Sequence, residues 1–278
     1  MDIYQLALKE DLEPNGDLST KFFKQKPLKA QIAAKEAGVF ACSEVVEKVF
    51  QAYQKLYQED LKVTINCLAH DGENFKAGDI LVEIGTTSHA LLICERTILN
   101  FLQRCCAIAT KARLLSSLIK DYNTEILDTR KTSPGMRLLE KQAFKQGGGS
   151  NHRFNLSDMA MLKENHLSLL DQDLIDSIQK LKKENCKIEV EINKSNLNKL
   201  KLVAEEGVDQ IMLDNFKPEE LPELIKNIRA LNPNIKIEAS GGITEKNIVD
   251  YAKTGIDYLS TAEASRARNI DLSMLISN

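Results

Sequence analysis

The sequence of 278 residues lacks the features of several functional classes. Lys and Arg together number 37 against 40 for Asp and Glu, so the chain has no general excess of positive charge for binding nucleic acid. Its first residues contain no basic segment followed by an apolar one, and charges such as Glu95 and Arg96 interrupt its most apolar stretches. We therefore predict a cytoplasmic protein that binds neither nucleic acid nor a membrane.

Common catalytic and cofactor motifs are also missing. The sequence contains no Walker loop, no G-x-G-x-x-G and no G-x-S-x-G. The six cysteines show no C-x-x-C spacing and mostly occur inside apolar runs, which favours buried free thiols over disulfides or a metal framework. His152 and His166 are not spaced as metal ligands, so no zinc site is expected.

The first part of the chain predicts a small domain of strands and helices. Residues 28–84 contain the alternation of apolar and polar side chains that is typical of antiparallel strands, and residues 43–57 form an amphipathic helical pattern among them. A longer helical pattern begins near Ser88 and is apolar on more than one face. Around Cys105 we expect it to pass into a second helical run, so we assign residues 1–104 to the N-terminal domain.

The stretch of residues 126–166 predicts two strands whose C-terminal ends carry cations. One apolar run ends at Leu127 and is followed at once by the charged sequence DTRKT. A second apolar run ends at Leu162 and is followed by Lys163. Between them lie an amphipathic helical run, three consecutive glycines and the sequence NHR. The order is therefore strand, helix, loop and strand, with the charges gathered at one end.

The same alternation of strand and helix continues towards the C-terminus. Strand-like runs end at Glu191, Asp214 and Ser240 and near Thr261, with helical segments between them. This alternation predicts a parallel β/α architecture. Because several strands each deliver a polar residue at the C-terminal end, we favour a barrel over a doubly wound sheet, which concentrates its ligands at one switch point. We assign the barrel to residues 105–278, with the last residues packing back on the N-terminal domain.

The polar strand ends sort into groups of opposite charge. The cationic group is Arg130, Lys131, His152, Arg153 and Lys163, and the anionic group is Glu191 and Asp214. Guanidinium groups suit planar carboxylates, whereas paired carboxylates suit Mg²⁺ or ribose hydroxyls. A phosphate would fit Ser240, Gly241, Gly242 and the start of a helix near Thr244. The implied ligands are a polycarboxylate and a phosphorylated sugar with magnesium.

Each of these residues also has a simpler explanation. A single Arg or Lys at a strand end is more often a solvated charge than a ligand, and two glycines before a helix are a weak phosphate signal. Arg96 stands in apolar surroundings, where a partly exposed guanidinium and a functional group are equally consistent with the sequence. Lys163 could serve instead as the Schiff-base lysine of a barrel aldolase. The prediction therefore depends on several such residues occurring together, and not on any one of them.

Several motifs taken together are specific. They read DTRKTSPGMRLLEK, GGGSNHR, KENH, EVE, LDN and SGG, with ALKEDL, GDLST, GVFAC, FKAGDILVEI and ERTILNFL nearer the start. With these motifs the chain resembles, over most of its length, the quinolinate phosphoribosyltransferase family, the carboxylating nicotinate-nucleotide pyrophosphorylases. The resemblance implies an α/β protein with an N-terminal α/β sandwich domain, a C-terminal open β/α barrel of fewer than eight strands, and a homodimer whose sites borrow residues from the partner.

The resemblance also implies an activity and a role for each site residue. Phosphoribose would pass from phosphoribosyl pyrophosphate to quinolinate, with loss of pyrophosphate and CO2 to give nicotinate mononucleotide. The carboxylates of quinolinate would be held by Arg130, His152, Arg153 and Lys163, with Arg96 from the other subunit. Phosphoribosyl pyrophosphate and its Mg²⁺ would be held by Lys131, Glu191, Asp214, Ser240, Gly241 and Gly242. Lys163, Glu191 and Asp214 would be catalytic, and Glu191 and Asp214 would bind the Mg²⁺.

One segment departs from the family pattern. Family members usually carry a glycine-containing segment near the sugar phosphate where this chain has residues 260–264, STAEA. Glu263 would be unfavourable beside a phosphate unless it points away. The segment is nearer to that of paralogues encoded with molybdate transport genes, but those usually lack the equivalent of Lys163 and the full DTRKT. Quinolinate is therefore the expected acceptor, and another aromatic acid is the alternative.

Overall fold

The computed structural model describes residues 2–170 and 173–277, and the chain forms two compact units. Unit 2 consists of residues 114–132 and 149–263, and unit 1 contains the rest of the chain. Among the described helices, none is both long enough and apolar enough to cross a membrane. The cytoplasmic location remains a prediction.

Unit 1 is built from an antiparallel sheet, a two-stranded ribbon and helices. Its elements, numbered over the whole chain, are α1 (Ile3–Leu12), β1 (Pro27–Ala34), β2 (Gly38–Val39), α2 (Val45–Tyr57), β3 (Thr64–Cys67), β4 (Asn74–Phe75), β5 (Ile80–Thr87), α3 (Ser88–Leu118), α4 (Arg137–Gln146) and β12 (Leu272–Ser277). The helix α1 begins with a capping box in which Asp2 and Gln5 satisfy each other's backbone N–H groups. The helix α2 buries Val46, Val49 and Phe50 on one face, as its sequence pattern predicts.

The four-stranded sheet of unit 1 has the order β12-β1-β5-β3, and its strands are antiparallel. Along β1, Ala30 and Ile32 are buried while Lys29 is exposed and Gln31 is partly exposed, which is the period-two alternation that the sequence predicts. The last residues were expected to pack back on the N-terminal domain, but the edge strand β12 itself was not predicted. It pairs with β1 through contacts between opposite ends of the chain, which no local pattern encodes.

The helix α3 is longer than the sequence predicts. The sequence predicts two helical runs that meet around Cys105, but the structure has one continuous helix. Cys105, Cys106, Ile108 and Ala109 are all buried, so the helix presents apolar residues around its circumference instead of ending. The boundary placed after residue 104 therefore falls inside a helix.

Unit 2 alternates strands and helices. Its elements are β6 (Glu125–Leu127), β7 (Ala160–Leu162), α5 (Glu164–Leu170), α6 (Leu174–Lys183), β8 (Ile188–Ile192), α7 (Leu200–Glu206), β9 (Gln210–Asp214), α8 (Leu221–Leu231), β10 (Lys236–Ser240), α9 (Ile248–Ala252) and β11 (Tyr258–Ser260). Short 3-10 turns precede α7 and α8, inside the regions predicted as helix. The helix α9 is shorter than the pattern of residues 245–254 predicts.

The six strands of unit 2 form a parallel sheet in the order β6-β11-β10-β9-β8-β7. The first strand, β6, pairs with the last strand, β11, whereas in this sheet β6 and β7 are not neighbours. Leu127 and Ser150 make an isolated parallel bridge beside β6. The cyclic strand order with one gap is that of an open β/α barrel, which confirms the predicted fold class and excludes a doubly wound sheet.

The cysteines agree with the prediction of free thiols. All six are unpaired; Cys42, Cys94, Cys105 and Cys106 are buried, and the other two are partly exposed. Burial raises the pKa of Cys106 to about 12, so its sulfur stays a thiol at neutral pH. The buried cysteines therefore act as small apolar side chains of the core.

Candidate active site

The C-terminal ends of the six parallel strands lie at one rim of the barrel, because parallel strands all run in the same direction. Arg130 follows β6, Lys163 follows β7, and Asp214 and Ser240 are the last residues of β9 and β10. Glu191 is the last residue but one of β8. The barrel topology thus brings predicted site residues from distant parts of the sequence to one end of unit 2.

Arg130 and Arg153 form the core of the cationic side. The guanidinium of Arg153 donates to the carbonyl of Met159 at 2.9 Å. Burial and the positive charge of Arg130 both lower the pKa of Arg153. The Nε of Arg130 is buried and has no hydrogen-bond partner among the described residues. Two repelling guanidinium groups and an unsatisfied donor together favour the binding of an anion.

Lys163 and Glu191 form a direct ion pair. From the sequence they are predicted to bind different ligands, Lys163 the polycarboxylate and Glu191 the phosphosugar. The side chain of Glu191 is 11% exposed and that of Lys163 is 44% exposed, so the pair has one end in the barrel and the other at the rim. In the described structure the cationic and anionic sides therefore meet at this pair.

Asp214 and Glu191 lie on neighbouring strands and face the same side. Glu191 is paired with Met212, and Asp214 lies two residues beyond Met212. Because side chains alternate between the two faces of a strand, both carboxylates lie on the same face of the sheet. Asp214 accepts a hydrogen bond of 2.5 Å from the side chain of Asn215. Carboxylate oxygens of this kind are ligands that Mg²⁺ takes, and the Mg²⁺ site stays a prediction.

Gly241 and Gly242 form a tight turn directly after β10. Both have positive φ, +93° and +63°, which favours glycine. A Cβ atom on Gly241 would lie 2.2 Å from Oδ1 of Asn215, so a side chain here would require the loop after β9 to move. The helix that follows begins at Ile248 and not near Thr244, which corrects the prediction of a helix N-terminus at this point. Any phosphate contacts here come from the turn itself.

His152 is turned into the barrel. Its Nδ1 accepts the backbone N–H of Arg153 at 2.7 Å. Its Nε2 lies 3.1 Å from Oε2 of Glu189 and 3.5 Å from Oε2 of Glu238. Both ring nitrogens are thus directed at protein groups, so the ring as placed does not offer a nitrogen to a substrate carboxylate at the rim. The predicted contact of His152 with substrate would require the ring to leave this cluster.

Glu189 and Glu238 were missed by the sequence analysis. Both side chains are fully buried inside the barrel wall, where charged groups are rare unless they are paired. The signal was present, because Glu189 precedes Glu191 by two residues and Glu238 precedes Ser240 by two residues. Residues two apart on a strand share a face, so each glutamate points to the same side as a predicted site residue.

The remaining predicted residues are exposed. Lys131 is exposed, and its backbone N–H donates to the Thr129 hydroxyl at 3.0 Å. Arg96 belongs to unit 1, is exposed on α3, and lines a cavity of about 560 Å³ whose walls include Leu18 and Phe23. Arg96 has no ion pair within the described part of the chain. Its guanidinium is therefore available to a ligand or a second subunit.

The unusual segment after β11 is held by local hydrogen bonds. The hydroxyl of Thr261 donates to the carbonyl of Ile243 at 2.8 Å and accepts the backbone N–H of Glu263 at 3.2 Å. This connects the segment to the residue that follows the Gly241-Gly242 turn. The Glu263 side chain is partly exposed, so its carboxylate keeps some contact with solvent.

A second cavity, of about 710 Å³, lies at the opposite end of the barrel. His152 and Arg153 contribute to its wall, but most of the lining comes from the N-terminal ends of strands, such as Lys187, Asp209 and Lys236. Charged side chains of both signs line it, and of the predicted site residues only His152 and Arg153 contribute to its wall. We therefore place the candidate active site at the C-terminal rim, where barrel enzymes carry their catalytic groups.

Comparison with known families gives matches to both parts of the chain. Residues 2–106 match the family model described as quinolinate phosphoribosyl transferase, N-terminal domain, and residues 108–275 match that of the C-terminal domain. Together the two matches cover almost the whole sequence.

Named relatives and solved structures agree with these matches. A probable carboxylating nicotinate-nucleotide pyrophosphorylase of Bacillus subtilis is 34% identical over 265 residues, which is 93% of this chain and 87% of the relative. The carboxylating nicotinate-nucleotide pyrophosphorylase of Rattus norvegicus is 32% identical, covering 87% of this chain and 79% of the relative. The crystal structure of NadC from Streptococcus pyogenes superimposes with a TM-score of 0.88 at 35% identity, covering 99% of this chain and 95% of that one.

Proposed function

The chain belongs to the quinolinate phosphoribosyl transferase family, and we propose that it transfers phosphoribose from phosphoribosyl pyrophosphate to quinolinate. The products are nicotinate mononucleotide, pyrophosphate and CO2, a step in NAD biosynthesis. The observation that carries the proposal is the closeness of the positive charges of Arg130 and Arg153 in unit 2, with a buried donor of Arg130 left without a partner among the described residues. A dianionic aromatic acid supplies the charge and the acceptors that this arrangement needs.

The acceptor side of the site binds the two carboxylates of quinolinate. Arg130 and Arg153 each offer a planar fork of N–H donors that matches a carboxylate, and Lys163 adds a point charge beside them. Ionised donors form the stronger class of hydrogen bonds, so these contacts orient the ring as well as hold it. The pyridine nitrogen is thereby directed at the sugar.

The donor side binds phosphoribosyl pyrophosphate with Mg²⁺. Glu191 and Asp214 fit Mg²⁺ because this ion is usually held by one or two carboxylates together with substrate phosphates. The ion, when bound, stabilises the negative charge that develops on the leaving pyrophosphate. Lys131 contributes a further cation, and Ser240 and the Gly241-Gly242 turn offer a hydroxyl and close backbone approach to the phosphate.

The reaction needs position and charge rather than a protein nucleophile. Displacement at the anomeric carbon passes through an oxocarbenium-like state, so the site must align the pyridine nitrogen with that carbon and stabilise the pyrophosphate that leaves. Loss of CO2 from the ring leaves an electron pair that the positive ring nitrogen stabilises. Lys163 touches both sides of the site, because it pairs with Glu191 in the absence of substrate.

We further propose that the active protein is a homodimer in which Arg96 reaches the site of the other subunit. The exposed position of Arg96 on α3 and its lack of an ion pair among the described residues support this proposal. Exposed apolar side chains of the same unit, such as Phe22 and Phe23, are 86% and 60% exposed and are suited to burial at an interface.

A barrel aldolase is the less favoured alternative. A Schiff-base lysine must lose its proton, and it does so most readily in a desolvated or cationic environment. Lys163 is instead ion-paired with Glu191 and 44% exposed, so its surroundings are neither desolvated nor purely cationic. Transfer to a different aromatic acid remains the closer alternative, because the STAEA segment beside the phosphate differs from the usual family pattern.

The decisive assay is pyrophosphate release by the purified protein. We expect release that requires quinolinate, phosphoribosyl pyrophosphate and Mg²⁺ together, with CO2 in equal amount. Release with another pyridine or pyrimidine acid, but not with quinolinate, would select the alternative acceptor. Borohydride trapping of a carbonyl compound on Lys163 would select the aldolase. Absence of release at any quinolinate concentration would refute the proposal.

Removing one carboxylate of the donor side should weaken the binding of Mg²⁺ and phosphosugar. We expect Glu191→Gln or Asp214→Asn to raise the Mg²⁺ concentration for half-maximal activity by about tenfold or more, because each substitution removes a charged oxygen ligand. Calorimetric titration with Mg²⁺ and phosphoribosyl pyrophosphate measures the same loss without turnover. Asp176→Asn, on the exposed face of α6, is the control. An unchanged Mg²⁺ requirement in both site variants would remove these residues from the metal site.

A further inference from the structure

Asn215, the residue directly after β9, has an uncommon backbone conformation. Its φ is +60°, in the left-handed region that residues other than glycine seldom adopt, although asparagine tolerates it better than most. Such conformations persist where the surrounding contacts enforce them, and they are common at functional sites. Asn215 follows Asp214 at the C-terminal rim of the barrel, where the candidate active site lies.

Asn215 contacts residues that the proposed function assigns to the phosphosugar. Its side-chain amide donates to Oδ2 of Asp214 at 2.5 Å. Its backbone N–H donates to the carbonyl of Ser240 at 2.9 Å, which extends the pairing of β9 with β10 beyond Asp214. Its Oδ1 lies against Gly241, where a Cβ atom would be 2.2 Å from it. A single residue thus joins the predicted metal-binding carboxylate to the predicted phosphate turn.

The chain after Asn215 is anchored as well. The next residue, Phe216, is buried, and its carbonyl accepts a hydrogen bond from the hydroxyl of Tyr251 at 3.0 Å. Because Asn215 is bonded to Ser240 and Phe216 is bonded to Tyr251, the backbone of the loop has little freedom. The barrel therefore sets the position of the Asn215 side chain before any ligand binds.

The hydrogen bond from Asn215 orients the carboxylate of Asp214. It occupies Oδ2 of Asp214, so the other oxygen is the one that can take a ligand of the phosphosugar side. Carboxylates that bind a metal ion are usually held by a hydrogen bond of this kind, and its loss typically weakens metal binding by about 10- to 100-fold. The same side chain lies so close to Gly241 that only glycine fits there, which fixes the spacing between carboxylate and turn.

On the basis of the proposed function, we infer that Asn215 is a positioning residue for phosphoribosyl pyrophosphate. It orients the Asp214 carboxylate and holds the Gly241-Gly242 turn at a fixed spacing from it, so that carboxylate and turn bind the same phosphosugar together. Asn215 acts through these groups and not on the acceptor acid. Its effect is therefore on the binding of the phosphoribose donor, and the binding of quinolinate does not depend on it.

The simpler explanation is that asparagine occurs here only because it tolerates a positive φ. Asn215→Gly accepts this φ readily but lacks the amide. Asn215→Asp keeps the shape and tolerates the same φ, but it replaces the donor by a carboxylate oxygen that repels Asp214. If Asn215 serves only the turn, both variants should bind phosphoribosyl pyrophosphate as the natural protein does.

We expect both Asn215 variants to raise the Kd for phosphoribosyl pyrophosphate in the presence of Mg²⁺ by about tenfold or more. Calorimetric titration without any acceptor acid measures this loss directly. In steady-state kinetics the KM for quinolinate should change little, because the acceptor side of the site is untouched. A rise in the KM for quinolinate as large as the rise in the Kd for the donor would overturn the inference.

Asn185 provides the matched control. It has a φ of +53° and belongs to the same unit, but it lies between α6 and β8, at the opposite end of the barrel. Asn185→Gly and Asn185→Asp should leave the Kd for phosphoribosyl pyrophosphate unchanged. Thermal unfolding of every variant identifies any that fail to fold. Equal losses of donor binding in the Asn185 and Asn215 variants would overturn the inference.

The contact between Asn215 and Asp214 is tested without any ligand by NMR of protein labelled with ¹⁵N. The side-chain amide signals that disappear in Asn215→Asp belong to Asn215. Asp214→Ala removes the acceptor, so these signals should shift, whereas Asp176→Asn on the exposed face of α6 should leave them in place. Asn215 amide signals that stay unchanged in Asp214→Ala would overturn the inference, whether or not the Asn215 variants fold.

The donor titrations also separate this inference from its premise. Weaker donor binding in the Asn215 variants of a protein that does not use quinolinate would refute the proposed function and support the inference. Quinolinate-dependent activity in the natural protein, with donor binding unchanged in Asn215→Gly and Asn215→Asp, would overturn the inference and leave the proposed function intact.

Discussion

Replacing Arg153 or Arg130 by alanine should raise KM for quinolinate about 10- to 150-fold. Each substitution removes a charge-assisted contact to a carboxylate, worth about 1.5 to 3 kcal/mol. Folding should remain largely intact, because the two positive charges repel each other in the absence of ligand. Steady-state kinetics with quinolinate and with phosphoribosyl pyrophosphate varied separately measures the effect, and KM for the phosphosugar should change little.

Two controls make this result specific. Arg229→Ala removes an arginine from the exposed surface of the same unit, where it pairs with Asp257, and should leave both KM values unchanged. Arg153→Lys keeps the charge but loses the planar fork, so it should recover only part of the binding. If Arg130→Ala and Arg153→Ala both show the kinetics of the natural protein, the acceptor acid does not bind at this rim.

Mixing two inactive variants should restore activity if Arg96 serves the neighbouring subunit. Arg96→Ala removes a residue that each site receives from its partner, and Lys163→Ala removes one that each site takes from its own chain. Random exchange of equal amounts gives half mixed dimers, each with one complete site, so activity should recover to about a quarter of that of the natural protein. Assay after exchange at low protein concentration, or after mild denaturation and refolding, measures the recovery.

The pairing of Arg130→Ala with Lys163→Ala is the matched control for this experiment. Both residues belong to unit 2 of the same chain, so a mixed dimer of these variants contains no complete site. This mixture should stay inactive under the conditions that restore the first one. Failure of the first mixture, with mixed dimers shown by mass measurement, would place Arg96 outside the shared site. Recovery of activity in the control would show that a site does not take Arg130 and Lys163 from the same chain.

Local sequence patterns predicted much of the barrel. A buried strand such as KIEVEI is recognisable from neighbouring side chains alone, and β8 lies where that pattern places it. The repeated succession of such strands and helices limits the connections to a parallel sheet. The open form and the family followed from motifs spread over the whole chain. The strand order confirmed the open form, and comparison with known families confirmed the family. Two features with no local pattern were wrong or missed: the predicted division of α3 into two helical runs was wrong, and the strand β12 was missed although the last residues were expected to pack on the N-terminal domain.

For the site, too, the sequence predicted which residues are present but not which of them meet. The sequence identified Lys163 and Glu191 by their positions after or within strands, but their ion pair depends on the spacing of β7 and β8 in the sheet. It also identified His152 as a cation at the rim. The direction of its ring depends on where β8 and β10 bring Glu189 and Glu238, which are 49 residues apart in the numbering.

The sequence by itself determined the residue types available for chemistry, the strand ends that carry them and the family to which the chain belongs. These follow from periodic burial and from motifs, which are properties of neighbouring residues. Only the tertiary structure decided which charges meet. Ion pairs and contacts between buried charged groups depend on distances of a few ångströms between strands and on the absence of water around them, and both arise only when the barrel is assembled.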